Sequence, residues 1–308
     1  MQNVSSMINA GAAGPRAAAA CPTIAAMPDH VRPIDLPAPE ALARELAARL
    51  PAFQDIAWTG STGSTNADLL ARARAGGVGK PWLLGTHLQE TGRGRAGRPW
   101  QNWTGSTLMF SCAFDVNLPA AQLPALSPLA GVAACEALRA VAGPAAAGLC
   151  MKWPNDVQWH DAKLAGVLVE TTRNPGRHVA GYTVVIGMGV NLIDADRLSL
   201  ALEREVADWS QVQAHSPREA SAADLVCASA TAWHEAIRSL EREGFGAFKR
   251  RFDQVDALAG RKVNVLDKGA ILLSGTACGV DDHGRLLVQT PEGAKPILVG
   301  EISIRRQA

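Results

Sequence analysis

The sequence has no CxxC pair, no unbroken apolar run of the roughly 18 residues that spans a bilayer, and no excess of either charge. Each absence closes a class. Cysteines stand at 21, 112, 135, 150, 227 and 278 without a close histidine partner, so buried or idle thiols are expected rather than a disulfide framework or a zinc site. With 30 Lys and Arg against 29 Asp and Glu, no global field draws the chain to nucleic acid or an anionic membrane. The stretch "AAAAC" near the start lacks a basic leader joined to a continuous apolar run, and Gly14, Pro15 and Arg16 interrupt the only candidate. A cytoplasmic protein, off the membrane, is the expectation. No internal repeat is found, and no Ser, Cys or His spacing marks a nucleophilic triad.

What remains suits one sizeable core and a small appendage, since 47% of the 308 residues are apolar. Residues 1–37 are rich in Ala, Pro and Gly without a period and read as a disordered tail, or as sequence ahead of a later start at Met27. Residues 38–257 read as the catalytic body. There "APEALARELAARL" has helical spacing, Ser64 and Thr65 cap a second helix that Gly76 and Gly77 end, and "SPLAGVAACEALRAVAG" is a buried helix. The runs "PWLLGTHL", "STLMFSCAF", "AGVLVET" and "YTVVIGMGVNL" read as strands of a mainly buried sheet, and a further helical stretch begins at Ser221. Texture changes at Gly260: residues 258–308 hold four or five short strands with "DDHG" as a hairpin turn, the pattern of a small β-barrel.

Four stretches carry polar residues that a fold alone does not require, and each also has a plainer reading. "GSTGSTN", Gly60 to Asn66, can be simple helix capping. In "GRGRAGR", Gly92, Gly94 and Gly97 free backbone N–H groups while Arg93, Arg95 and Arg98 offer charge-assisted donors for carboxylate or phosphate; the alternatives are an RNA or single-strand contact and a solvated loop. "KWPNDVQWHDAKLAGVLVE" sets Lys152, Asn155 and Asp156 at a proline turn and Lys163 and Gly166 on a strand, which suits polyphosphate and Mg²⁺, or else a salt-bridged turn. In "GMGVNL", Gly187 and its neighbour permit close backbone approach and Asn191 offers a donor and an acceptor, although a bulge would look the same.

In this order and spacing the four stretches resemble the biotin protein ligase family, with "STN", "GRGRAGRPW", "KWPND" followed by "KLAGVLVE", and "GVN" carrying the likeness from about residue 55 to about residue 305. The resemblance implies an α+β fold, a mixed β-sheet with flanking helices of the class II synthetase-like biotin/lipoate ligase type, followed by an SH3-like C-terminal β-barrel. It implies a reaction in which biotin and MgATP give biotinyl-5'-AMP and pyrophosphate, and a lysine of a biotin carboxyl carrier protein then displaces AMP. With only about sixty residues before the "STN" stretch, the ligase without a DNA-binding domain is expected.

Carried over residue by residue, the resemblance puts Arg93, Arg95 and Lys163 at the biotin carboxylate and the adenylate phosphate. It gives Ser64, Thr65, Asn66, Gln89, Gly92, Gly166 and Gly187 to biotin. Arg98, Trp100, Lys152, Asn155, Asp156 and Asn191 fall to ATP, with Asp156 as the metal candidate for a Mg²⁺ held mainly by ATP phosphates. The arginine loop is then expected to act as a lid over the mixed anhydride. Two rivals stand beside this reading: lipoate or octanoate ligation on the same fold, and a non-enzymatic RNA or single-stranded DNA binder built on the Arg-Gly loop.

Overall fold

The computed structural model describes residues 34–175, 181–267, 269–298 and 303–306. Its first helix, α1 (Pro39–Arg49), starts on a proline whose fixed φ suits a first turn, and Leu42 and Leu46, one turn apart, are fully buried on its inner face. Packing begins before the helix. Ile34 and Leu36 lie against the core and the Pro37 carbonyl is 3.1 Å from His87 Nε2, so the expected tail is shorter than 1–37 at this end, and the rest of it lies outside the described residues.

Seven strands form the main sheet: β1 (Asp55–Thr62), β2 (Trp82–Gln89), β3 (Thr107–Val116), β4 (Leu149–Lys152), β5 (Asp156–Trp159), β6 (Ala162–Arg173) and β7 (Tyr182–Asn191). Their order is β1-β2-β3-β7-β6-β5-β4, with β1 and β2 parallel and every other pair antiparallel, so the sheet is mixed as expected. The parallel pair is joined through α2 (Thr65–Arg74), which places the ends of β1 and β2 and the start of that helix together.

Side chains alternate across a strand, and the two faces of β3 and β7 have different fates. Phe110, Cys112, Phe114, Val184, Ile186 and Met188 enter the main core, which α3 (Leu126–Ala142) and a later helix, residues 222–243, cover. Ala113 and Val185 face the other way, into a small cluster with Leu69, Leu70, Ala73 and Trp82 under α2. Along that second face the strands continue as Ser111, Gly187 and Gly189, too small to fill the space beyond the helix. This change from Val and Ala to Ser and Gly opens the cleft described below.

The remaining helices are α4 (Ala195–Leu202), α5 (Trp209–Gln213), α6 (Ala222–Glu243) and α7 (Lys249–Val255). Ser221 and Asp224 form a capping box at the start of α6. Among the described residues one helical stretch, Ala120–Ala142, is long and apolar enough to cross a membrane, and 78% of its most apolar window is buried inside this core. Two sheet elements carry no period in sequence: β1 buries only Trp58 along its length, and the hairpin of β4 and β5 has four residues per strand.

A second sheet, antiparallel throughout, follows: β8 (Lys262–Asp267), β9 (Ala270–Val280), β10 (Leu286–Thr290), β11 (Gly293–Ile297) and β12 (Ser303–Arg306), ordered β11-β10-β9-β8-β12. "DDHG" is its turn between β9 and β10, where Gly284 has φ 74°. The same turn holds the first body, because the buried Trp153 indole donates to the Gly284 carbonyl at 3.0 Å. Ala257 N–H adds a bond to the Met151 carbonyl at 3.0 Å. Trp153→Phe removes the indole donor and leaves that carbonyl without its partner. We expect it to lower the unfolding free energy by about 1 to 3 kcal/mol, read as a lower urea midpoint at unchanged slope.

Candidate functional site

The space beyond α2 is a cleft of about 310 Å³. One end is neutral. Ser64 caps α2, its Oγ accepting from Ala67 N–H at 3.5 Å, and the next two residues turn their side chains into a chain of hydrogen bonds. Thr65 N–H donates to Gln89 Oε1 at 2.9 Å, and Thr65 Oγ1 lies 2.6 Å from Ser111 Oγ. Ser111 donates to Asn66 Oδ1 at 2.6 Å, and Asn66 Nδ2 donates to Glu170 Oε2 at 2.9 Å. Asn102 clamps the Gln89 backbone from the far side, accepting from its N–H at 3.1 Å and donating to its carbonyl at 3.0 Å.

The other end is cationic. Gly92 to Trp100 folds back on itself: Arg93 bridges Pro99 in antiparallel fashion, Gly94 N–H donates to the Arg98 carbonyl at 2.7 Å, and Trp100 N–H donates to the Gly92 carbonyl at 2.9 Å. The tip needs left-handed backbone at Ala96 (φ 54°) and Gly97 (φ 68°), which explains a glycine at the second of these positions. The loop carries Arg95 to Asn155, with Nη1 to Oδ1 at 3.1 Å. Burial pushes the Arg95 guanidinium below its usual range, with Asp156 opposing that shift and Arg98 adding to it. Lys163 on β6 donates to Asp156 Oδ1 at 2.6 Å.

The "KWPND" turn that supplies Asn155 and Asp156 is fixed from three sides. Asn155 Nδ2 donates to the Val167 carbonyl on β6 at 2.7 Å, Trp153 is tied to the second sheet, and α3 meets the turn at Gly131. A Cβ on Gly131 would come within 2.5 Å of Met151 Cε and 3.1 Å of the Pro154 carbonyl, so the missing side chain lets the helix and the turn approach closely.

Gly166 and Gly189 are register partners on β6 and β7, and the Trp100 indole lies against both. A Cβ on Gly189 would stand 2.5 Å from the ring, and one on Gly166 would stand 3.1 Å from Cζ3. Lys163 Nζ is 5.4 Å from the ring centroid. On Gly187 a Cβ would strike Asn66 Oδ1 and sit 2.9 Å from Ser111 Oγ. Gly166 and Gly187 thus line the cleft and also admit the side chains packed against them, Trp100 at the first and Asn66 with Ser111 at the second.

Of the residues singled out in sequence, Ser64, Thr65, Asn66, Gln89, Arg93, Arg95, Arg98, Trp100, Lys152, Asn155, Asp156, Lys163, Gly166 and Gly187 all line this one cleft. Gly92 and Asn191 do not. Gly92 is packed between Gln89 and Trp100, and Asn191 is 3% exposed with Nδ2 donating to the carbonyls of Lys163 (3.3 Å) and Ala207 (3.0 Å). Asn191 thus braces β6 and the segment before α5 rather than facing a nucleotide. Ser111, Glu170, Asn102 and Arg204 take part in the site without any sequence signal of their own: Ser111, for instance, is one polar residue in a buried strand.

Asp156 as a metal ligand fits poorly, since its carboxylate is taken by Lys163 and the neighbouring Asn155 Oδ1 by Arg95. Among the described residues no three His, Cys, Asp or Glu side chains gather as a metal cage. That donor set suits a Mg²⁺ that arrives on phosphate oxygens. The five described cysteines are free, and burial pushes the Cys135 thiol up to about 12, which keeps it inert.

Comparison with known proteins bears on the same residues. The model of the biotin/lipoate A/B protein ligase family matches residues 60–191, and that of the biotin protein ligase C-terminal domain matches residues 259–305. A biotin-[acetyl-CoA-carboxylase] ligase of Paracoccus denitrificans is 32% identical over 244 residues, covering 78% of this chain and 97% of its own. The chain belongs to the biotin/lipoate protein ligase family. A further family member it resembles, the bifunctional ligase/repressor BirA of Escherichia coli, is 30% identical over 217 residues; the match covers 70% of this chain but spans only 64% of the length of BirA. In fold it is similar to the biotin protein ligase from Aquifex aeolicus solved in complex with biotin and ATP, with TM-score 0.64, 25% identity, and coverage of 83% of this chain and 100% of that one. The ligase family resemblance drawn from the four stretches is thereby confirmed, and so is the α+β fold.

Proposed function

We propose that the protein is an ATP-dependent biotin protein ligase, which forms biotinyl-5'-AMP and pyrophosphate and then passes biotin to a lysine of a biotin carboxyl carrier protein. The observation that carries this reading is the polarity of the cleft. A neutral array at Thr65, Gln89, Ser111 and Asn66 stands at one end, and Arg95 and Lys163 stand at the other. A cyclic urea with a carboxylate at the end of an alkyl chain has that polarity. Domain limits of 38–257 and 258–308 accompany the proposal, as does a cytoplasmic setting, where ATP is at hand and free thiols stay reduced.

The chemical problem is anion against anion. A carboxylate oxygen must attack an α-phosphorus whose oxygens are already negative, and pyrophosphate leaves with the electron pair of the broken P–O bond. In a half-buried cleft, fixed cations offset this repulsion far more than they would in water. Arg95 and Lys163 supply them, with Arg93 and Arg98 on the same loop. Lys152, Asn155, Asp156 and Trp100 line the nucleotide side, where the indole offers a flat surface to the base. A Mg²⁺ bound with the ATP would shield the phosphate charge, while Lys152, Asn155 and the loop arginines orient both reactants. In the second step the acceptor amine attacks the acyl carbon and AMP leaves, so no nucleophile of this chain is needed.

Pyrophosphate exchange into ATP, measured with biotin, lipoate, octanoate or no acid, tests the reading. Exchange dependent on biotin, followed by mass transfer to a carrier domain, is expected; exchange only with lipoate would move the chain to the rival ligation. Lipoate offers no donors to the neutral end and would leave its polar groups unpaired. An RNA-binding role for the Arg-Gly loop is disfavoured because Arg95 is turned inward onto Asn155 and the loop is bridged across its base.

The loop also gives a prediction. Arg95→Gly cuts its tie to the "KWPND" turn, so biotinyl-AMP should dissociate about ten- to a hundredfold faster, on the strength of a charge-assisted hydrogen bond. Added bulk protein would then be biotinylated on its lysines. A variant that holds its adenylate as long as the parent protein rules out the lid.

A further inference from the structure

We infer that Glu170, which does not line the cleft, sets the direction of the side-chain hydrogen bonds that run from Thr65 through Ser111 and Asn66 at its neutral end and thereby makes Thr65 an acceptor for ligand N–H groups. The inference rests on the biotin reading above and adds to it a positioning residue. It begins with the side chain that has no choice. A carboxylate only accepts, so the Asn66 amide must turn Nδ2 toward Glu170 Oε2, at 2.9 Å, and a longer contact of Nδ2 to the Leu168 carbonyl, 3.4 Å, favours the same orientation. Asn66 Oδ1 then points at Ser111 and can only accept, so the Ser111 proton is committed to it at 2.6 Å.

Between Ser111 Oγ and Thr65 Oγ1, also 2.6 Å apart, one proton must lie, and only that of Thr65 is left. Gln89 Oε1 is satisfied by Thr65 N–H at 2.9 Å and does not need the hydroxyl, which stands farther away at 3.2 Å. With its proton on Ser111, Thr65 Oγ1 turns one lone pair toward Gln89 Oε1 and keeps the other for the ligand. Protons run one way along the chain, from Thr65 to Ser111 to Asn66 to Glu170. Without the carboxylate, only the longer contact to the Leu168 carbonyl holds the Asn66 amide, which can then rotate by half a turn. Ser111 would then accept from Asn66 and donate to Thr65, and the displaced Thr65 proton would turn either to Gln89 Oε1 or into the cleft, where it would face a ligand donor. A urea N–H finds a weaker partner in that arrangement, while nothing changes at Arg95, Lys163 or Trp100.

Glu170 is only half-buried on β6, so its replacement leaves the core intact. Glu170→Met keeps the bulk and removes the acceptor; Glu170→Ala is the second variant; Glu170→Gln keeps an accepting oxygen. In steady-state adenylate formation by the full chain, the Met and Ala variants should raise KM for biotin about fivefold or more, with KM for ATP and kcat within twofold of the parent, and Gln should restore most of the loss. A biotin KM within twofold of the parent in both variants, an equal rise in KM for ATP, or no rescue by Gln would overturn the inference. A parent protein that makes no biotinyl-AMP would instead refute the proposed function itself.

Discussion

Lys163→Gln should lower adenylate formation by about a hundredfold or more, the range seen when one fixed group that stabilises developing charge is removed. Two effects act together. The Lys163 side chain is 17% exposed and is bonded to Asp156 at 2.6 Å, so its charge sits in a poorly hydrated place where it is worth more than at the surface. Its loss also takes from the Asp156 carboxylate the cation it is bonded to, leaving only the Arg95 guanidinium nearby to offset a charge of the wrong sign for the phosphates. Pyrophosphate exchange at saturating biotin and ATP measures the step directly. Exchange at the parent rate would show that Lys163 serves only the turn, and a circular dichroism melt separates that case from loss of fold.

Gly187→Ala is the second large effect, and it comes from a single methyl group. A Cβ there would overlap Asn66 Oδ1 and crowd Ser111 Oγ at 2.9 Å, so Asn66 must leave the position that its bond to Glu170 requires. Overpacking of this kind costs about 1 to 3 kcal/mol, and here the strain falls on the neutral end of the cleft. We expect KM for biotin to rise more than tenfold while KM for ATP stays within a few-fold. An unchanged biotin KM would mean that Asn66 relaxes without loss and that the neutral array tolerates being moved.

These two residues also mark how far local sequence reaches. Lys163 is legible because a charged residue at the head of an apolar strand needs a reason, and Asp156 of the "KWPND" turn, seven residues earlier, offers a partner. The arginine loop was legible on the same ground, since three arginines among three glycines repel one another unless something anionic is to be met. Gly187 stands out because a glycine in a strand signals close approach, but the sequence does not say by what. Asn191 was misplaced because an amide in "GVN" can satisfy backbone carbonyls as well as a nucleotide, and burial selects the former. Ser111 and Glu170 carry no local signal, since each is one of several polar residues on its strand.

By itself the sequence determined the elements whose cause is local: the capped helix at Ser64, the buried apolar strands, the tight glycine-bearing loop, the texture of the second sheet, and the family likeness held in four short stretches. Tertiary structure alone decided which of those polar groups meet. Ser111 reaches Thr65 across 46 positions, Asn66 reaches Glu170 across 104, and Trp153 reaches Gly284 across 131. Hydrogen bonds over such separations follow from strand order and register, which are set by the packing of both sheet faces at once, and no window of neighbouring residues contains that information.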